Sequence, residues 1–195
     1  MASSIILASG SPRRRELLDL LGVRFEVRPA ADEESPGPGE APAAFAVRAA
    51  RAKAELVGAA NPHRPVLGSD TVVEIDGRIL GKPVSTNEAR AMLRLLSGRT
   101  HLVHTAVALA VEGRCRSVLD TSKVRFRSIG ERSIDWYVST IEPMDKAGAY
   151  AVQGAGGLFV EAVEGSPQTV IGLPIHRLPE LFSQCDLDFW DYLNT

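Results

Sequence analysis

Cysteine is nearly absent from this chain: Cys115 and Cys185 stand far apart, with no CxxC spacing. Two lone thiols exclude a disulfide framework and suit a reducing compartment, so a cytoplasmic location is expected. Long apolar runs are lacking as well. Stretches such as "AVALAV" at 106–111 fall far short of the roughly 20 residues a membrane-spanning helix needs, and no secretion signal is visible. An excess of one charge sign is missing too. The 22 basic and 24 acidic side chains leave a formal charge of -2, which argues against a general nucleic-acid or membrane-surface coat and makes any polyanion binding local. Lysine itself is scarce, with only Lys53, Lys82, Lys123 and Lys146 among the basic residues. A lysine here is an informative choice, because a compact ammonium and a planar guanidinium do different jobs. His63, His101, His104 and His176 show no zinc spacing and carry no further reading. There is no GxxxxGK[ST] phosphate loop and no internal repeat.

What is present suffices for one substantial core: 195 residues, 45% hydrophobic and 24% charged, are expected to form a single bilobed domain over 1–195. "SIILAS" (4–9) predicts a short buried strand, and "SPRRRELLDLLG" (11–22) a helix with Leu17, Leu18, Leu20 and Leu21 inside and Gly22 closing it. A strand near "RFEVRP" leads to the exposed loop "AADEESPGPGEAP", and a helix from about Pro42 to Gly58 places Phe45, Ala49, Ala52 and Leu56 on one face. "PVLGSDTVVEIDGRILGKP" (65–83) reads as a hairpin turning at Asp76-Gly77. Its register sets Ile75 opposite Arg78, Val73 opposite Leu80 and Thr71 opposite Lys82. Ser85 and Glu88 form a capping box for a helix ending at Gly98, two long strands meet at Glu112-Gly113, and a second capping box, Ser128 and Glu131, opens a helix to about Ile141. Beyond the glycine-rich segment 142–157 come a strand, "LFVEAV", and a last helix; the tail "DLDFWDYLNT" has no readable role. The fold class expected is α/β, a long twisted mixed sheet with flanking helices.

Three features point to chemistry. Arg13, Arg14 and Arg15 sit on the first turn of a helix, where they repel the positive end of its dipole by about a few tenths of a kcal/mol each. The small residues Ser9, Gly10 and Ser11 before them let a ligand approach the backbone, so a bound phosphate chain would supply the missing negative charge. Asp70 interrupts an apolar strand on the face shared by Val66, Gly68 and Val72. An unpaired carboxylate there would cost several kcal/mol, so pairing, a metal or the open end of a sheet is expected, with Lys82 the cation the hairpin register brings near. Asp32, Glu33 and Glu34 offer hard oxygens for Mg²⁺ or Mn²⁺, although an acidic loop triplet taken alone reads as solvated. In "GAYAVQG", Tyr150 and Gln153 provide a weak signal, Gln153 as an amide partner for a base edge.

The motifs "LASGSPRRRELL", "GSDTVV", "LGKP", "LSGRTH", "EPMDKAGAYAVQG" and "VIGLP" run in order through nearly the whole chain, and together they resemble the Maf family of nucleoside triphosphate pyrophosphatases. The resemblance implies two lobes around a cleft, distantly like the inosine triphosphate pyrophosphatases, and hydrolysis of a nucleoside triphosphate to the monophosphate and pyrophosphate with a divalent metal, Mg²⁺ or Mn²⁺. "GAYAVQG" is similar to the branch acting on dTTP and UTP rather than on 7-methyl-GTP. Carried over by position, Asp70 is implied as the catalytic base, Arg13, Thr71 and Gln153 as selecting substrate, and Ser9, Glu33, Lys53 and Lys82 as further polar positions lining the cleft. Metal binding is expected at Asp70 and Glu33, and a homodimer is expected. Two rivals stand beside this reading: a non-catalytic nucleotide-binding regulator of cell division, and a nucleic-acid-binding module, which the negative net charge and lack of an aromatic stacking surface disfavour.

Overall fold

The computed structural model describes residues 4–31 and 34–194. Seven strands form one mixed sheet: β1 (Ile5–Leu7), β2 (Phe25–Val27), β3 (Val66–Ile75), β4 (Arg78–Leu80), β5 (Thr100–Val111), β6 (Arg114–Phe126) and β7 (Val160–Glu164). Their order is β2-β1-β3-β5-β6-β7, with β4 added on β3. β1 pairs in parallel with both β2 and β3, whereas β3 with β4 and β6 with β7 are antiparallel. The parallel pairs follow from the helical crossovers α1 (Pro12–Leu20) and α2 (Pro42–Ala59). The expected α/β class with a mixed sheet and flanking helices is the one observed.

The chain divides into two compact units. The first comprises 1–70, 105–120 and 172–195; the second comprises 71–104 and 121–171. In the first, Ile5, Ile6, Leu7, Leu18, Leu67, Ala46 and Ala50 are fully buried. α1 turns only Leu17 and Leu18 inward; Leu20, expected inside, is exposed, and Leu21 is half-buried. α2 buries Phe45, Ala46, Ala49, Ala50 and Ala54, while Ala52 and Leu56, expected on that face, lie off it. Gly68 gives the reason. A Cβ there would overlap the Ala50 carbonyl oxygen and sit 2.8 Å from the Ala54 nitrogen, so α2 packs backbone-close on β3 through its smallest residues.

The second unit has its own core, in which Ala89, Met92, Leu93 and Leu96 of α3 (Thr86–Leu96) pack with Val73, Ile75, Phe126, Ile134 and Tyr137. Ser85 caps α3 by accepting from the Glu88 amide at 3.2 Å, and Glu88 accepts in turn from the Val84 amide. The hairpin turns as read: Asp76 and Gly77 both take positive φ, 52° and 73°, and Val73 faces Leu80. The β-ladder runs from Ile75–Arg78 to Val73–Leu80 and β4 ends at Leu80, so it stops short of the expected Thr71–Lys82 pair. Gly81 instead gives its carbonyl to the Gly148 amide at 3.1 Å. α4 (Glu131–Ser139) starts later than expected and without a side-chain cap, because Ser97 accepts the Ile129 amide at 2.7 Å and Glu131 bonds Arg94. Residues 142–159 form three short 3₁₀ turns, and α5 (Pro167–Ile171) and α6 (Leu178–Ser183) follow.

Candidate active site

In the first unit the close packing of α2 on β3 has a chemical consequence. Lys53 lies one residue before Ala54, and Asp70 two residues after Gly68. Their side chains meet, Lys53 Nζ donating to Asp70 Oδ1 at 2.5 Å, and both are about one-sixth exposed. The cation expected for Asp70 is therefore present, but it is Lys53 from α2, not the hairpin residue Lys82. Partial exposure leaves the carboxylate reachable by water. A cavity of about 170 Å³ lies beside Lys53, lined also by Glu34, Ala52 and Leu56. A larger cavity of about 520 Å³ follows α2 from Ala43 to Glu55 and includes neither Asp70 nor Lys53.

The arginine turn is built next to this pair. Ser11 does not cap α1 with its side chain. Ser9, buried, accepts from the Ser11 amide at 3.3 Å and from Arg14 Nη1 at 2.8 Å. Arg14 Nε donates to the Gly172 carbonyl at 2.8 Å, and Ser69 Oγ donates to the same carbonyl at 3.0 Å. Gly172 adopts φ 119°, a backbone that L side chains rarely take. One carbonyl thus ties the start of α1, the strand carrying Asp70 and the "VIGLP" segment together. Burial, opposed by the Asp70 carboxylate and reinforced by the like charge of Arg13, pushes the Arg14 guanidinium down to about 10, so it remains a cation at neutral pH. The sequence offers Arg14 only as one of three arginines for a phosphate chain and Gly172 only as part of "VIGLP"; that the two meet follows from tertiary contact.

Of the acidic loop, Asp32 and Glu33 lie outside the described residues, and Glu34 is bonded to Arg48. Among the described residues no cluster of three or more His, Cys, Asp or Glu side chains is arranged for a metal. Mg²⁺ commonly takes one or two carboxylates with the rest of its shell from water and substrate phosphates. The accessible carboxylate of Asp70 fits that donor set.

In the second unit Gln153 is exposed, Thr71 half-buried and Lys82 exposed just beyond β4. Tyr150 is buried: its hydroxyl meets His101 Nε2 at 2.8 Å and its ring packs edge-on against Phe126. Of the two side chains singled out in "GAYAVQG", Gln153 alone is presented to solvent.

A family model described as Maf-like protein matches residues 4–185. The chain is similar to a dTTP/UTP pyrophosphatase of Syntrophus aciditrophicus (strain SB), 48% identical over 182 residues that cover 92% of this chain and 89% of that protein. A protein of the same description from Anaeromyxobacter dehalogenans (strain 2CP-1) is 50% identical over 179 residues, 90% of each chain. Another, from Bacillus cereus (strain B4264), is 45% identical over 184 residues, 94% of this chain and 96% of that one. Among solved structures, the Staphylococcus aureus Ham1 protein overlaps 64% of this chain and 72% of its own, with a TM-score of 0.44 at 15% identity.

Proposed function

The chain belongs to the Maf family, and on that premise we propose that it hydrolyses dTTP and UTP to the nucleoside monophosphate and pyrophosphate. The observation that carries this reading is the accessible Lys53–Asp70 pair beside an arginine-bearing strand-to-helix turn, in a chain whose relatives are described as dTTP/UTP pyrophosphatases. Lys53 holds the carboxylate through Oδ1, and Oδ2 takes a proton from water. The water oxygen bonds the α-phosphorus, the bond from that phosphorus to the bridging oxygen breaks, and pyrophosphate leaves with the electron pair. Arg13, Lys53 and Lys82 stabilise the charge gathering on the phosphates. Arg14 and Ser9 fix the turn that carries Arg13. Thr71 and Gln153 select the base, Gln153 offering an amide whose paired donor and acceptor match the carbonyl and N–H of uracil or thymine. Asp70, with Glu33, would hold Mg²⁺ or Mn²⁺, which supplies neutralisation of phosphate oxygens.

The protein is further proposed to act as a cytoplasmic homodimer. Free thiols at Cys115 and Cys185 support the compartment, and the family resemblance supports the dimer, which sedimentation equilibrium tests. Among the described residues no helix is long and apolar enough to cross a membrane.

The deciding experiment incubates the purified protein with Mg²⁺ and UTP, dTTP, CTP, 7-methyl-GTP or ITP and separates the products by ion exchange. UMP and dTMP with intact pyrophosphate are expected; nucleoside diphosphate with orthophosphate would overturn cleavage at the α-phosphorus. Nucleotide binding without turnover under any metal would favour the regulator. Asp70→Asn should still unfold in one cooperative transition and lose about a hundredfold or more in kcat. Near-wild-type turnover would remove Asp70 from the role of base.

A further inference from the structure

The exposed side chain of Gln153 stands on a loop of unusual backbone anchorage. Glu142 Oε1 accepts from the Tyr137 hydroxyl at 2.8 Å and from the Gly156 amide at 3.2 Å, and Oε2 accepts from the Ala155 amide at 3.1 Å. Tyr137, fully buried, accepts the Ala151 amide at 3.2 Å on the same hydroxyl. One carboxylate and one phenol therefore hold backbone N–H groups on both sides of Gln153, at 151 and at 155–156.

The surrounding sequence makes room for this clamp. A Cβ at Gly154 would sit 2.5 Å from one carboxylate oxygen of Glu142 and closer still to the other, and a Cβ at Gly156 would sit 2.6 Å from the Tyr137 hydroxyl. Ile141, immediately before the acid, adopts φ 67°, a left-handed conformation that is costly for a β-branched residue. That turn follows α4 directly, so Glu142 comes back to Tyr137 only five residues after it. Partial burial on its own would raise the Glu142 carboxyl; the hydrogen bonds from Tyr137, Ala155 and Gly156 and the charge of Lys146 outweigh it and hold the group below the ordinary carboxylate range. It is ionised, and an ionised carboxylate accepts stronger bonds from backbone N–H than a neutral group would.

We propose that Glu142, through Tyr137, is the positioning residue for base selection, fixing the 151–156 backbone so that Gln153 meets the pyrimidine edge in one orientation. This rests on the assignment of Gln153 as the base reader. Neither Glu142 nor Tyr137 touches substrate. Their effect passes through the backbone, and a displaced recognition group weakens binding of the correct base more than it slows the bond-breaking step.

The test compares steady-state kinetics on UTP and CTP for wild type, Glu142→Gln, Tyr137→Phe, Gln153→Ala and the double variant Glu142→Gln/Gln153→Ala, each with its thermal unfolding curve. Glu142→Gln should raise KM for UTP about tenfold, leave kcat within about threefold and narrow the UTP-to-CTP preference. In the Gln153→Ala background the same change should add nothing further. Tyr137→Phe should shift KM in the same direction and carries the test if Glu142→Gln does not fold. A variant that merely lost stability would lower kcat through its active fraction and keep KM, which overturns the proposal. If Gln153→Ala relaxes the preference while Glu142→Gln and Tyr137→Phe leave KM unchanged, the positioning role falls and the base reader stands. If Gln153→Ala itself leaves the preference intact, the underlying assignment falls and this proposal with it.

Discussion

His101 lies buried between Phe126 and Tyr150, its ring centroid 5.0 Å from the first, and its Nδ1 finds no hydrogen-bond partner among the described residues. Burial pushes its pKa down to about 4, below the roughly 6.5 expected for an unfolded chain. Between those values the unfolded state binds the proton and the folded state does not. Stability is therefore full above pH 6.5 and falls as the pH drops toward 4, by about 3 kcal/mol from this residue alone. Urea midpoints measured from pH 7 to 4.5 should decline in wild type and decline less steeply in His101→Gln; parallel slopes would show that the imidazole is not the group responsible. Nothing local in "LSGRTH" announced this histidine, because its environment is made by Phe126 and Tyr150, 25 and 49 residues on. Asp70 was legible for the opposite reason: a carboxylate in a run of buried strand residues is an anomaly wherever its partner comes from. The identity of the partner was not legible, since hairpin register points along the chain to Lys82 while the helix that delivers Lys53 arrives from before the strand.

Elements were readable where local chemistry dictates the backbone. Asp76-Gly77 and Glu112-Gly113 both take the paired positive φ of a two-residue turn, and Pro42 marks the first turn of α2. The phase of α2 was not readable, because alanine is weakly apolar and the face it buries is chosen by the absence of a side chain at Gly68. Gly68→Ala tests that dependence. Its Cβ would strike main-chain atoms of Ala50 and Ala54, which cannot rotate away as a side-chain tip can. A loss of about 1–3 kcal/mol in urea unfolding is expected from such overpacking, and kcat should fall with it because the helix that retreats carries Lys53 off Asp70. Wild-type kcat with reduced stability would show that the Lys53–Asp70 pair does not depend on this approach. Ser128 failed as a cap on similar grounds: tertiary bonds to Ser97 and Arg94 outbid a local motif worth only about 1 kcal/mol.

On the scale of the whole chain, the tail had no pattern to read because the backbone it pairs with lies about 170 residues away. Leu193 forms a bridge with Val23, the Asn194 amide donates to the Gly22 carbonyl at 2.7 Å, and the Arg24 amide donates to the Tyr192 carbonyl at 2.8 Å. The Arg24 guanidinium adds bonds to the carbonyls of Asp191 and Leu193, each at 2.5 Å. Phe189 and Tyr192 pack edge-on against Phe182, each ring centroid 5.2 Å from it. Every one of these residues belongs to the first unit, the one that holds Lys53 and Asp70. Deleting 188–195 removes two buried aromatic side chains, about 3–6 kcal/mol of burial, which corresponds to a melting temperature lower by roughly 6–24 °C for a chain of this size. The second unit keeps its separate core around Phe126, Tyr137 and Phe159, so the loss should be uneven. Hydrogen exchange in the truncated protein should quicken in peptides covering 4–31 and 178–187 and stay near wild type over 129–163. Uniform quickening would mean that the two units open as one cooperative body, and an unchanged melt would mean that the tail only decorates the surface it covers.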